Sequence, residues 1–239
     1  MVYFLIPVYN EAENILKLHT DLYEVLGEEQ KHYVFVDDGS NDATQDEIKK
    51  LFEEGDVTIL QNEKNSGPGY SFNKGFEWIL DHSSSTEDII VTTEGDNTSN
   101  LNILSDMIKI SRLGYNLVLA SVYSQGGGFE KTNFIRKFVS FFANLFVRIF
   151  FTIKVLTLSS FYRVYSIDLV RQIKAKYPVI IAEPGFISMV EILIKAIKLN
   201  AKIIEVPLLL STKDRKGKSK MKKFQTMLSY LRFFITKRI

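Results

Sequence analysis

An α/β fold, a mostly parallel sheet flanked by helices, is expected on three observations. Short β-rich apolar runs recur at YFLIPV (3–8), HYVFVDD (32–38), VTIL (57–60) and DIIVTTE (88–94). Helix-like stretches separate them, at roughly 11–27, 41–54 and 70–82, and strands alternating with helices make parallel sheets with helices on their faces. Third, polar and acidic residues concentrate in the segments leaving those strands: PVYNEAEN, VDDGSND, QNEKNSGPGYS and TTEGDNTSN. In such sheets ligands gather at the carboxyl ends of the strands, so a site is expected there.

The later elements follow in order. NLVLAS (116–121) reads as a strand and SQGGGFE as a flexible glycine-rich loop. The aromatic stretch TNFIRKFVSFFANLFVRIFFTIKVL is broken by Arg136, Lys137, Arg148 and Lys154. Its longest uncharged run, Phe138 to Val147, is ten residues, short of the roughly 18 that span a bilayer, so a place along a membrane surface or in a core is expected. SSFYRVYS (159–166) reads as a strand, EPGFISMVEILIKAIKLN (183–200) as a loop running into a helix, and AKIIEVPLLL (201–210) as a strand. No repeat or linker divides the chain. Residues 1–210 are expected to form the body, and 211–239 a basic loop and amphipathic helix of the same domain.

Composition narrows the class. A chain of 239 residues, 46% hydrophobic and with five prolines, can bury the core of one large domain. Without cysteine there is no disulfide framework or thiolate metal site, and His19, His32 and His82 lack zinc-ligand spacing. MVYFLIPVYN has no export-leader pattern, so a cytoplasmic protein is expected. The net charge of +2 conceals an asymmetry: Ser211 to Ile239 carries ten bases and one acid, +9, against −7 for the rest. Such a tail seeks an anionic partner. No nucleic-acid module accompanies it, no G-x-G-x-x-G follows the first strand, and GGG at 126–128 is not a Walker loop.

Glu94 and Asp96 flank Gly95 where an apolar run ends. Hard divalent cations take one or two carboxylates plus substrate phosphate oxygens, so the spacing suits a metal–diphosphate site. Helix capping by Asp96 or Asn97 beside a solvated Glu94 is the alternative. Asp37 and Asp38 end another strand before Gly39 and Ser40; they suit a base edge or ribose hydroxyls, or ordinary turn and cap chemistry.

PVYNEAENI, VDDGSND, NSGPGYSFNKG, EGD, SFYRVY, Glu191 and RKGKSK occur in the order found in family 2 glycosyltransferases of the Rossmann-like GT-A fold. The chain closely resembles the polyprenyl-phosphate hexosyltransferase branch that includes dolichol-phosphate mannose synthases. The resemblance implies an inverting transfer of mannose or glucose from a GDP- or UDP-hexose to dolichyl or undecaprenyl phosphate, with Mg²⁺ or Mn²⁺. It implies nucleoside contacts from Pro7, Tyr9, Glu11, Asp37, Asp38 and Gly67, metal and diphosphate contacts from Glu94 and Asp96, and a place for Glu191 near the reacting groups. Glu94 departs from the family's usual first aspartate, which leaves metal preference open. Rival readings are transfer to a saccharide hydroxyl with Glu191 as base, and a nucleotide-binding homologue without activity.

Positive groups complete the expectation. Arg163 sits among apolar residues, where an unpaired cation is expensive, so an anion should face it. The resemblance makes that anion a substrate phosphate and Arg163 part of the catalytic group with Asp96; an internal salt bridge is the alternative. Arg136 is implied near the acceptor phosphate. KDRKGKSKMKK (213–223) holds seven bases and one acid, and Arg215, Ser219 and Lys220 are expected to grip phosphate. Beyond it, Phe224, Met227, Leu228, Leu231, Phe234 and Ile235 recur at helical spacing among bases. That pattern fits a helix lying on an anionic membrane face or packing on the body.

Overall fold

The computed structural model describes residues 1–27, 29–130, 155–217, 226, 229, 230, 232 and 233. The first half alternates as the periodicity demands: β1 (Val2–Val8), α1 (Ala12–Leu26), β2 (Lys31–Asp37), α2 (Thr44–Leu51), β3 (Val57–Gln61), α3 (Pro68–His82) and β4 (Ile89–Thr92). A 3₁₀ turn (Leu101–Ile103) leads into α4 (Leu104–Arg112), then β5 (Leu117–Ser121) and β6 (Gly128–Glu130). After the segment outside the described residues come β7 (Arg163–Ser166), α5 (Ile167–Lys176), α6 (Ser188–Lys198), β8 (Ile203–Pro207) and β9 (Leu209–Ser211).

Seven strands form one sheet in the order β3-β2-β1-β4-β7-β5-β8. All neighbours are parallel except β7, which runs antiparallel to both β4 and β5. Strand residues alternate between two cores, as the two-residue pleat requires. Val2, Phe4, Ile6 and Val8 of β1 join Ile15, Leu18 and Leu22 of α1 and Leu104 and Met107 of α4. Tyr3 and Leu5 face the other way, onto Phe72, Phe76 and Ile79 of α3 and onto α5 and α6. Helix α3 starts at Pro68, whose fixed φ suits a first helical position, and Gly75 lets it lie directly on Leu5.

Three features go beyond the expected elements. Helices α4 and α5 cover the two faces of the sheet. The glycine-rich stretch is not simply a loop: β6 pairs in parallel with β9 in a second, two-stranded sheet. Ser99 bridges to Leu210, which seats this ribbon beside the acidic loop.

Among the described residues no helix is long and apolar enough to cross a membrane. In the C-terminal stretch Phe233 is buried in the core and Tyr230 packs against it, with burial pushing its hydroxyl up to about 12. The apolar set from Phe224 to Ile235 named above, and Arg136 with the aromatic 138–147 run, lie outside the described residues.

Candidate active site

The chain steps outward from β1 to β2 and β3, then returns to the other side of β1 as β4. That reversal opens a crevice at the carboxyl ends of β1 and β4, the position where open α/β sheets hold ligands. The loop after β1 and the acidic loop after β4 meet there. Thr93 donates its main-chain N–H to the Leu5 carbonyl, and Gly95 lies so close to Val8 that a Cβ would stand 2.8 Å from its side chain. Glu94 and Asp96 thus flank a position that tolerates no side chain, beside Val8 and Pro7, and Tyr9, next in the chain, is half-buried.

The acidic loop carries a charge problem. Burial, with Asp96 adding to it, pushes the Glu94 carboxyl up to about 7, although the Ser99 hydroxyl donates to it at 2.8 Å. One oxygen of Asp96 accepts from the main chain and hydroxyl of Thr98, at 3.2 and 2.7 Å, closing a turn that Asn97 makes in the left-handed region at φ 57°. The other oxygen faces Arg215, 3.1 Å from its guanidinium. A cation from the basic loop therefore already occupies the space beside the second carboxylate.

Among the described residues no cluster of three or more protein ligands could hold a metal alone. The donor set instead fits a divalent ion that takes one or two carboxylates and completes its shell with substrate oxygens. Thr93 Oγ1, Asn97 Oδ1 and the Tyr162 hydroxyl are buried around this loop with no hydrogen-bond partner among the described residues, and the charge of Glu94 reaches Tyr162. Glu94 and Asp96 would hold the ion.

The loops after β1 and β2 are knitted together. Asn10, at φ 52°, donates its N–H to Ser40 Oγ and accepts from Asn41, while Glu11 N–H donates to Thr44 Oγ1 and Ala12 N–H to Asp42. The second loop thereby satisfies the first free N–H groups of α1. Ser40 does not cap α2; its hydroxyl accepts from Asn10 N–H in the loop after β1.

Several of the expected site residues have protein partners. Asp37 is fully buried and accepts from Ser40 N–H at 2.9 Å and from Gln45, which orders its own turn. Asp38, 4% exposed, accepts from Asn62, Ser66 N–H and Gly67 N–H, each at 2.8 Å. Both carboxylates accept from protein donors and order the loops after β2 and β3. Gly67, at φ 94°, is a packing position: a Cβ there would strike the Pro184 carbonyl. Glu11 is buried and accepts from Asn14.

Arg163 is held by main-chain carbonyls rather than by a carboxylate. It is completely buried, and its guanidinium donates to the carbonyls of Ser160 (2.7 Å), Leu158 (2.7 Å) and Met189 (2.9 Å) and to Tyr165 at 3.4 Å. Main-chain dipoles solvate this cation and tie β7 to α6. Glu191 is likewise committed. Its carboxylate accepts from Ala182 and Glu183 N–H, at 3.0 and 2.8 Å, and pairs with Lys195 at 2.8 Å. It shapes the 182–185 loop, which in turn seats α3 through Gly69 N–H to the Pro184 carbonyl at 2.7 Å.

The structure therefore brings Glu94, Asp96 and Arg215 to the end of β1 beside Pro7, with Tyr9 following in the next loop. Ser219, Lys220 and Arg136 lie outside the described residues. Asn14 is a residue that the sequence reading does not single out. Its carboxamide links Glu11 to the main chain of Lys216, and Glu11 and Asn14 at i and i+3 on a helix start is the only trace of this in the sequence.

Comparison with known proteins agrees with this geometry. Residues 3–174 match the family described as glycosyl transferase family 2. A dolichol-phosphate mannosyltransferase of Pyrococcus furiosus is 28% identical over 232 residues, 95% of this chain, which spans only 61% of that relative's length. An undecaprenyl-phosphate mannosyltransferase of Micrococcus luteus is 27% identical over 218 residues, covering 91% of this chain and 86% of the relative. Among solved structures, glucosyl-3-phosphoglycerate synthase from Mycobacterium tuberculosis, in complex with Mn²⁺, UDP and glucosyl-3-phosphoglycerate, superposes with a TM-score of 0.65 at 16% identity. The match covers 98% of this chain and 77% of that one, a likeness of fold. With the sheet order, the crevice beside β1 and the acidic loop all in place, the chain belongs to glycosyl transferase family 2 and has the GT-A fold expected of it.

Proposed function

We propose that the protein transfers a hexose, mannose or glucose, from a GDP- or UDP-sugar to a polyprenyl phosphate, with inversion and with Mg²⁺ or Mn²⁺. The observation that carries this reading is the meeting of Asp96 with Arg215 in the crevice between β1 and β4. An acidic loop and a basic loop converge on one point, the arrangement a cation-bound diphosphate requires. The acceptor class is supported by the two relatives, a dolichol-phosphate and an undecaprenyl-phosphate mannosyltransferase.

Each residue's task follows from its chemistry. Glu94 and Asp96 would hold the divalent ion, which as a Lewis acid offsets charge on the leaving diphosphate. Tyr9 and Pro7, at the end of β1, form the wall available to the nucleoside. Arg215 presents a planar guanidinium to phosphate oxygens once it exchanges Asp96 for them. In the same reading Arg136, Ser219 and Lys220 contact the diphosphate or the acceptor phosphate. An acceptor phosphate is already ionised at neutral pH and needs positioning more than deprotonation. That agrees with a Glu191 held by two N–H groups and a lysine, and it weighs against a hydroxyl acceptor. The protein would work peripherally at the cytoplasmic face of a membrane, with the +9 stretch from Ser211 to Ile239 toward anionic headgroups.

The test is a donor panel: purified protein, polyprenyl phosphate, Mn²⁺ or Mg²⁺, and each common GDP- and UDP-hexose, with product lipid read by mass. A lipid heavier by one hexose, formed with one or a few donors and no added saccharide, is the expected result. Transfer only when a saccharide acceptor is supplied would contradict it.

A further inference from the structure

Asn14 lies in the first turns of α1 and is 2% exposed. Its side chain uses all its main hydrogen-bonding capacity within the protein. Oδ1 accepts from Lys216 N–H at 2.9 Å, and Nδ2 donates to the Lys216 carbonyl at 3.2 Å and to Glu11 Oε2 at 2.5 Å. Its main-chain carbonyl accepts from Asn97 Nδ2 at 2.9 Å. Asn97 follows Asp96, Asp96 pairs with Arg215, and Arg215 precedes Lys216. The contacts close a ring that joins α1, the acidic loop and the basic loop.

We propose that Asn14 is a positioning residue for the donor: by gripping the main chain of Lys216 it sets Arg215 against the acidic loop that receives the diphosphate. This rests on the function proposed above. A carboxamide is suited to the task because it offers donor and acceptor in one plane, matching the N–H and C=O of a single residue. Aspartate at this position would keep an acceptor, lose both donors and place a second carboxylate against Glu11. The grip is on backbone, so the exposed Lys216 side chain is not what is recognised. Gly217, at φ 78°, turns the chain immediately afterwards, where the GKSK stretch begins. Asn14 thus fixes the point from which that stretch departs.

Hydrogen–deuterium exchange of the 212–217 segment and steady-state donor kinetics, measured on wild type, Asn14→Ala, Asn14→Asp and Lys216→Ala, provide the test. Both Asn14 variants should speed exchange at the Lys216 amide on the order of tenfold, whereas Lys216→Ala should leave its protection in place. In Asn14→Ala the donor KM should rise about tenfold with kcat changed less than about threefold, a split that general loss of stability would not produce. If Asn14→Ala does not fold, Asn14→Asp carries the same comparison. Unchanged exchange in the variants would overturn the proposal, as would faster exchange with an unaltered donor KM. A wild-type protein inactive on every donor would instead defeat the functional reading, and the exchange comparison would still decide whether Asn14 holds the loop.

Discussion

Arg163 shows how far a residue's surroundings decide its role. As a buried cation among apolar side chains it requires compensation, and the sequence favours an anion as the source. Three main-chain carbonyls supply it instead, one of them from Met189 on α6. Carbonyls belong to every residue, so no pattern in the sequence announces them. A lysine at this position has one ammonium and cannot serve three carbonyls spread around the edge of the guanidinium. Arg163→Lys is therefore expected to cost about 3 kcal/mol of stability, read from urea denaturation. A phosphate-binding Arg163 would show the opposite pattern, near-normal stability with a raised donor KM. Glu191 follows the same logic, since its ligands are two N–H groups eight and nine residues upstream and a lysine one helical turn on. By contrast, Glu94 and Asp96 stand out in the sequence because two carboxylates separated by one glycine at a strand end repel each other, which marks them as a candidate cation site.

At the scale of elements, the first six expected elements and β4 sit within a few residues of their predicted places, because two-residue and 3.6-residue periodicities are local. Non-local pairings are a different matter. The β6–β9 ribbon joins Gly128–Glu130 to Leu209–Ser211, and three residues with a glycine among them carry no strand signal of their own. The seat of α3 is equally hidden. Gly69 reads as a turn residue beside a proline, yet its function is close packing: a Cβ would collide with the Glu183 carbonyl and crowd Ser188. Gly69→Ala should therefore destabilise the protein by about 1–3 kcal/mol despite the better helix propensity of alanine, measured as a lowered thermal midpoint. An unchanged or raised midpoint would mean that the 182–185 loop yields freely. Because that loop and Asp38 both brace the start of α3, the cost falls on the wall of the crevice and not only on the helix.

Over the whole molecule, charge is arranged more simply than the fold. The body carries a net −7 and the last 29 residues +9, and the two meet where Arg215 pairs with Asp96. Arg215 and Asp96 neutralise each other across the two loops, a duty that a divalent ion and a diphosphate would share when a donor binds. Calorimetric titration of GDP- and UDP-hexoses into the intact protein with Mn²⁺ or Mg²⁺ addresses this point. Saturable binding of at least one sugar nucleotide, lost on chelation and weakened about tenfold or more in Asp96→Ala, is the expected result. Binding that is indifferent to both the metal and Asp96, or no binding of any sugar nucleotide, would contradict the assignment of the acidic loop as the donor site.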